Sequence, residues 1–118
     1  MTLNDASALP ERLSRLVKDK GYVTFVEITR EFPDEHGEFA MCFPQNPSIM
    51  LWWGMSEKLV RTITQLLADD VIHIHPATEL TYLADGAVPS YPIAKSLREY
   101  KKPRWYPVCF HDSAYKGK

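Results

Sequence analysis

Long apolar runs, cysteines and catalytic signatures are all scarce in this chain. In its 118 residues no apolar stretch approaches the roughly 20 residues that cross a bilayer, so no membrane partner is expected. The opening MTLNDASALPERL has neither a basic start nor an apolar block and does not read as a secretory leader. Cys42 and Cys109 are the only cysteines and lie far apart, which excludes a disulfide framework and fits two reduced thiols in a cytoplasmic protein. A Gly-rich phosphate loop, GxSxG, HExxH and Cys-x-x-Cys are all missing. The expectation is therefore a protein that is not an enzyme and holds no cofactor.

Hydrophobic residues make up 45% of the chain, enough to build one core, and the length is that of a single domain, residues 1–118. The charge is unevenly spread. Residues 95–118 carry Lys95, Arg98, Lys101, Lys102, Arg104, Lys116 and Lys118 against Glu99 and Asp112, a net of +5, whereas the whole chain is at −1 and the first 94 residues therefore at −6. A basic tail on an acidic body points to nucleic acid or an acidic surface as a partner, or else is simply a solvated tail.

Local patterns divide the chain. Residues 1–8 read as a frayed end. Leu9, Leu13, Leu16 and Val17 form a helical stripe, Pro10 suits a first turn and Gly21 a C-terminal cap, giving a helix over 9–20. Tyr22-Val23 reads as a brief strand. Thr24 and Glu27 are spaced as a capping box for a second helix over 25–32, which Pro33 stops. Residues 38–43 read as a strand and 48–53 as an unusually apolar one, around the turn Pro44-Gln45-Asn46-Pro47. With Ser56 as cap, Leu59, Ile63, Leu66 and Leu67 share one face of a third helix, which puts Lys58, Arg61, Thr62 and Gln65 opposite. Val71–His75 and Glu79–Leu83 read as a hairpin about Pro76-Ala77-Thr78. Ile93–Tyr100 reads as a short helix, and KKPRWYPVCF as extended chain.

Two segments carry a family resemblance. GYVTFVEITREF is similar to the link and second helix of winged-helix regulators. MSEKLVRTITQLLADDVIHIHPATELTYLADG, residues 55–86, resembles the recognition helix and wing of a winged helix-turn-helix domain. The resemblance covers residues 9–86 and leaves 87–118 as a basic, aromatic extension. It implies an α+β fold of three helices and a C-terminal β-hairpin wing. The strands at 38–53 then form an extra hairpin inserted between helices 2 and 3, where a compact helix-turn-helix has a turn of about three or four residues.

The function implied is a small bacterial-type transcriptional regulator bound to double-stranded DNA. Lys58, Arg61, Thr62 and Gln65 would enter the major groove, with Arg61 able to take a guanine bidentately, and Lys101, Lys102 and Arg104 would hold phosphates. The wing sequence HPATE offers no cation. The rings of Trp105, Tyr106 and Phe110 would dock on the core or stack on bases. The alternative is a winged-helix protein-interaction module that leaves DNA alone. Trp52 and Trp53, adjacent on a strand, would send one ring inward and one outward, the outward one marking an interface with a partner or a second copy, or lying under the C-terminal tail. His73 and His75 alternate on one strand face, but no spacing fixes a third ligand, so no metal is expected. Cys109 and His111 share a face in extended chain without any residue to orient them as a thiol–base pair.

Overall fold

The computed structural model describes residues 9–43, 46–86, 92–94 and 100–112. Residues 1–8, most of the helix expected at 93–100 and the end of the basic tail lie outside them. Within them the chain is a mixed α+β fold of two small three-stranded sheets and four helices. No helix among the described residues is long and apolar enough to cross a membrane.

Helix α1 (Leu9–Lys20) buries Leu9, Leu13 and Val17. Strand β1 (Tyr22–Thr24) leads straight into α2 (Phe25–Glu31). The capping box closes that junction. Thr24 Oγ1 accepts from the Glu27 amide and Glu27 Oε1 from the Thr24 amide, both at 3.2 Å, so two of the orphan donors at the helix start are satisfied. A 3₁₀ turn at Pro33–Glu35 ends this unit.

Strands β2 (His36–Phe43) and β3 (Asn46–Met55) form a hairpin between α2 and the third helix. It is irregular. Phe39 pairs with Met55 and Met41 with Trp52, so three steps along β3 match two along β2, and the alternation of faces breaks there. Gly37 sits at the base of the hairpin. A Cβ built on it would lie 2.7 Å from the Met55 carbonyl oxygen and 2.9 Å from Ser56 Cα, so only glycine lets the two backbones approach this closely.

Helix α3 (Glu57–Ala68) follows, with Ser56 as N-cap, its Oγ accepting from the Leu59 amide at 3.0 Å. It packs chiefly against α1, β2 and β4 (Ile72–Pro76). The α3–β4 turn passes through Asp70 at φ 65°, a left-handed conformation that Asp tolerates better than most residues.

The expected wing hairpin does not form. Residues 79–83 are not a strand; they belong to α4 (Glu79–Asp85). Thr78 caps it through its hydroxyl, and Gly86 ends it in the left-handed conformation at φ 99°. The helix buries Tyr82 and leaves Leu80 and Leu83 exposed. β4 pairs instead with β6 (Val108–Asp112), antiparallel and in regular register from Ile72↔Asp112 to Pro76↔Val108. β6 is central, with β1 on its other side, giving the order β1-β6-β4. The second sheet runs β2-β3-β5, where β5 (Arg104–Trp105) is parallel to β3. Of the 93–100 helix, only Ile93, Ala94 and Tyr100 are described, and they are not helical. Ile93 bridges Trp105, and the Ala94 amide donates to the Trp105 carbonyl at 2.8 Å.

One aromatic and aliphatic core joins the parts. Val23, Phe25, Ile28, Leu59, Ile63, Ile72, Trp105, Val108 and Phe110 are fully buried in it. The C-terminal rings of Trp105 and Phe110 therefore dock inward, driven by the large apolar area they remove from water.

Candidate functional site

The polar face of α3 is occupied by the protein's own acids. Lys58 Nζ stands 3.7 Å from Glu35 Oε2, and Arg61 Nη2 stands 2.9 Å from Glu57 Oε2. Glu35 also accepts from the Ser56 hydroxyl at 2.8 Å, so one carboxylate ties the helix start to the 3₁₀ turn. Gln65 Nε2 donates to Asp69 Oδ1 at 3.0 Å. Asp70 Oδ1 lies 2.7 Å from His73 Nε2. The helix and its flanks thus set Lys58 and Arg61 against Glu35, Glu57, Asp69 and Asp70. A phosphate arriving here would meet a surface with more acid than base.

Thr62 is not on this face. It is buried, and its hydroxyl donates to the Lys58 carbonyl at 2.8 Å. The reason is positional. Thr62 stands three residues after Leu59 and four before Leu66, within the apolar stripe, and the packing of α3 against both α1 and β2 widens the buried face.

The remaining residues singled out are dispersed. Lys101 and Lys102 are exposed and have no acidic partner among the described residues. Arg104 is half-buried; its Nη1 donates to the Ile93 carbonyl at 3.2 Å and its guanidinium lies 4.7 Å from the Tyr100 ring centroid. Trp52 and Trp53 are both partly buried and stack at 5.0 Å, as the broken alternation of β3 allows. Trp52 also meets Phe25 at 6.0 Å, Tyr82 at 5.3 Å and Trp105 at 6.1 Å, so its ring belongs to the core cluster.

His73, His75, Cys109 and His111 come together on the outer face of the β1-β6-β4 sheet, since His73 pairs with His111 and His75 with Cys109. Cys109 Sγ is 3.5 Å from His111 Nε2, and the His75 and His111 rings meet edge-on at 4.5 Å. Burial holds the His111 imidazole below its ordinary value, with His75 pushing the same way and the hydrogen bond to the Gly21 carbonyl opposing. Burial also pushes the Cys109 thiol up. These shifts favour neutral thiol and neutral imidazole, the reverse of the thiolate–imidazolium state a nucleophilic pair uses. Among the described residues no group of three His, Cys, Asp or Glu side chains is placed to hold a metal ion.

A feature absent from the sequence reading lies beside α3. A cavity of about 790 Å³ opens between β2 and β4, lined by residues 40–43 on one wall, 72–74 on the other, and Val60, Thr64 and Leu67 on the floor. That volume falls within the range of about 300–1,000 Å³ typical of ligand pockets. The spacing of Val60, Thr64 and Leu67 signals it: a second helical row at the border of the core stripe, where Leu67 is only partly buried. Comparison with protein-family models, with curated proteins and with solved structures finds no match for this chain.

Proposed function

We propose that the chain is a protein-interaction domain on a winged-helix framework, with α3 and its surroundings as the contact surface. The observation that carries this reading is the pairing of both outward cations of α3 with acids of the same surface. DNA readers in this mode offer unpaired Arg and Lys to phosphates and base edges, because counterion release supplies much of their affinity. Freeing Lys58 and Arg61 would leave Glu35 and Glu57 facing the phosphates.

The framework itself is supported by the strand order. β4, which follows α3, and β6 are antiparallel neighbours, as the two strands of a wing would be, with β1 completing the sheet. The described residues between β4 and β6, α4 among them, then stand where a wing has its short turn. The described residues at the wing position thereby present a helix and an aromatic segment that carries Lys101, Lys102 and Arg104.

A second reading is favoured by one observation. Lys101 and Lys102 are exposed without acidic partners among the described residues, within the segment of net charge +5. A DNA-binding regulator would use them on phosphates, away from α3. Fluorescence anisotropy of a labelled duplex pool at low and physiological salt separates the two. The interaction-domain reading expects no salt-sensitive binding at low salt by wild type. Salt-steep binding lost in Lys101→Ala/Lys102→Ala supports the second reading, and binding weakened by Arg61→Ala overturns the first.

A further inference from the structure

The cavity beside α3 has a strand edge as one wall, β4, and the β2–β3 hairpin as the other, where Leu51 of β3 joins residues 40–43. A sheet face contributes alternate residues to a pocket, because successive side chains point to opposite sides. Here β4 contributes Ile72, His73 and Ile74 in succession, although its register against β6 is regular. A regular strand presents consecutive residues only along its edge. Among the described residues β4 is the outermost strand of its sheet and supplies one wall, and β2, outermost in the other sheet, supplies most of the facing wall.

The hydrogen-bond parity of β4 identifies the open groups. The Ala77 amide donates to the Pro107 carbonyl at 3.0 Å, which continues the β4–β6 register by one step. Bonded and non-bonded pairs alternate in an antiparallel ladder, so His73 and His75 exchange bonds with β6. The N–H and C=O groups of Ile72 and Ile74 therefore point the other way, toward the cavity. No strand pairs with them there among the described residues.

We propose that this groove binds an extended peptide by strand addition along β4, with alternate apolar side chains on the α3 floor and a Lys or Arg at the Asp69–Asp70 end. Only an extended backbone supplies donors and acceptors in the spacing the edge requires. Charge complementarity fixes the rest. The groove lining has no Lys, Arg, Asp or Glu, so its occupant is uncharged along that stretch, since an unpaired charge loses its hydration there. Where β4 begins, the exposed Asp69 and Asp70 follow directly on the carbonyl end of α3; each has one oxygen on Gln65 or His73, and the net negative charge with the helix dipole favours a cation. The inference rests on the interaction-domain reading and names its partner class.

The test is selection from a displayed random heptapeptide library on the folded full chain, then anisotropy with the labelled selected peptide. Expected are sequences with apolar residues at every second position, a basic residue at one end and no internal proline. Thr64→Arg on the floor and Ala40→Arg on the β2 wall change exposed positions, and each should reduce affinity at least tenfold with the far-UV spectrum unchanged. Asp69→Asn/Asp70→Asn should weaken binding by up to about fivefold, as the loss of an exposed ion pair does, and Asn keeps the left-handed turn. No enrichment over the Thr64→Arg protein, selection of helical-period or acidic sequences, or indifference to both groove variants overturns the proposal. If the selected peptides bind but respond only to Arg61→Ala, the groove is wrong and the interaction-domain reading stands. If duplex DNA binds through Arg61, that reading fails as well. Dimerisation abolished by Ala40→Arg, seen by sedimentation, would make a second copy the occupant and overturn the peptide assignment.

Discussion

Replacing Tyr82 by Phe should cost this fold about 2 kcal/mol through the loss of one oxygen atom. Tyr82 is fully buried on α4. Its hydroxyl accepts from the Phe25 amide at 3.2 Å and donates to the Val108 carbonyl at 2.6 Å. The β1–β6 register, one step past Thr24↔Cys109, places Phe25 opposite Val108. The hydroxyl therefore stands in for a ladder rung at the point where β1 turns into α2, and it satisfies an amide of the first helical turn, which has no partner within its own helix. Removing it sacrifices two hydrogen bonds worth about 1 kcal/mol each and strands a buried donor and acceptor, for a total of about 2–3 kcal/mol. The ring stays, so the edge contact with Trp105 at 5.0 Å and the contact with Trp52 at 5.3 Å survive, and no cavity opens. Urea unfolding followed by tryptophan fluorescence measures the cost, and the midpoint should fall with the m-value unchanged. A loss below about 0.5 kcal/mol would mean that Phe25 and Val108 pair directly once the hydroxyl is gone, and the clasp argument would be refuted.

Three further outcomes follow from the packing. Gly37→Ala places a methyl against the immovable backbone of Met55 and Ser56 and should destabilise by about 1–3 kcal/mol in the same assay. Trp52→Ala should cost about 2–4 kcal/mol, because the ring is a core contact for Phe25, Tyr82 and Trp105; unchanged stability would return it to the role of interface residue. The buried His111 has its pKa lowered by folding, so the unfolded chain takes up the proton first as pH falls. Its contribution to stability is present above pH 6.5, the ordinary value, and is lost below it. Thermal unfolding at pH 7.5 and 5.5 should show a smaller decrease in His111→Gln than in wild type, and an equal decrease would contradict the assignment.

What the sequence made legible was local. The caps at Thr24 and Ser56, the stripe of Leu9, Leu13 and Val17, and the two strand segments flanking the turn near residue 45 all carry their signal within a turn or two, and the elements formed there. The misread element, α4, is seven residues long, and Leu80 and Tyr82 alternate as a strand would. Long-range competition settled it. β6, far along the chain, carries Val108 and Phe110 into the core and takes the flank of β4 that residues 79–83 were expected to fill. The site was less legible for the same reason. Helical spacing put Lys58 and Arg61 outward, as they are, but the acid that pairs with Lys58 is Glu35, on a different element. Thr62, expected opposite the leucines, lies three residues from Leu59 and four from Leu66, a spacing that places it at the border of the buried stripe. The groove needed the edge of β4 and a hairpin from a distant segment, and no periodicity within one strand reports what stands beside it.

The most direct test of the account is a side-by-side anisotropy measurement on the folded chain at low salt. One probe is a labelled random-sequence duplex, the other the labelled peptide selected on the groove. The account predicts that the peptide binds, that Thr64→Arg abolishes its binding, and that the duplex stays free. Duplex binding that falls steeply with added salt and weakens in Arg61→Ala, with no peptide bound, would contradict it.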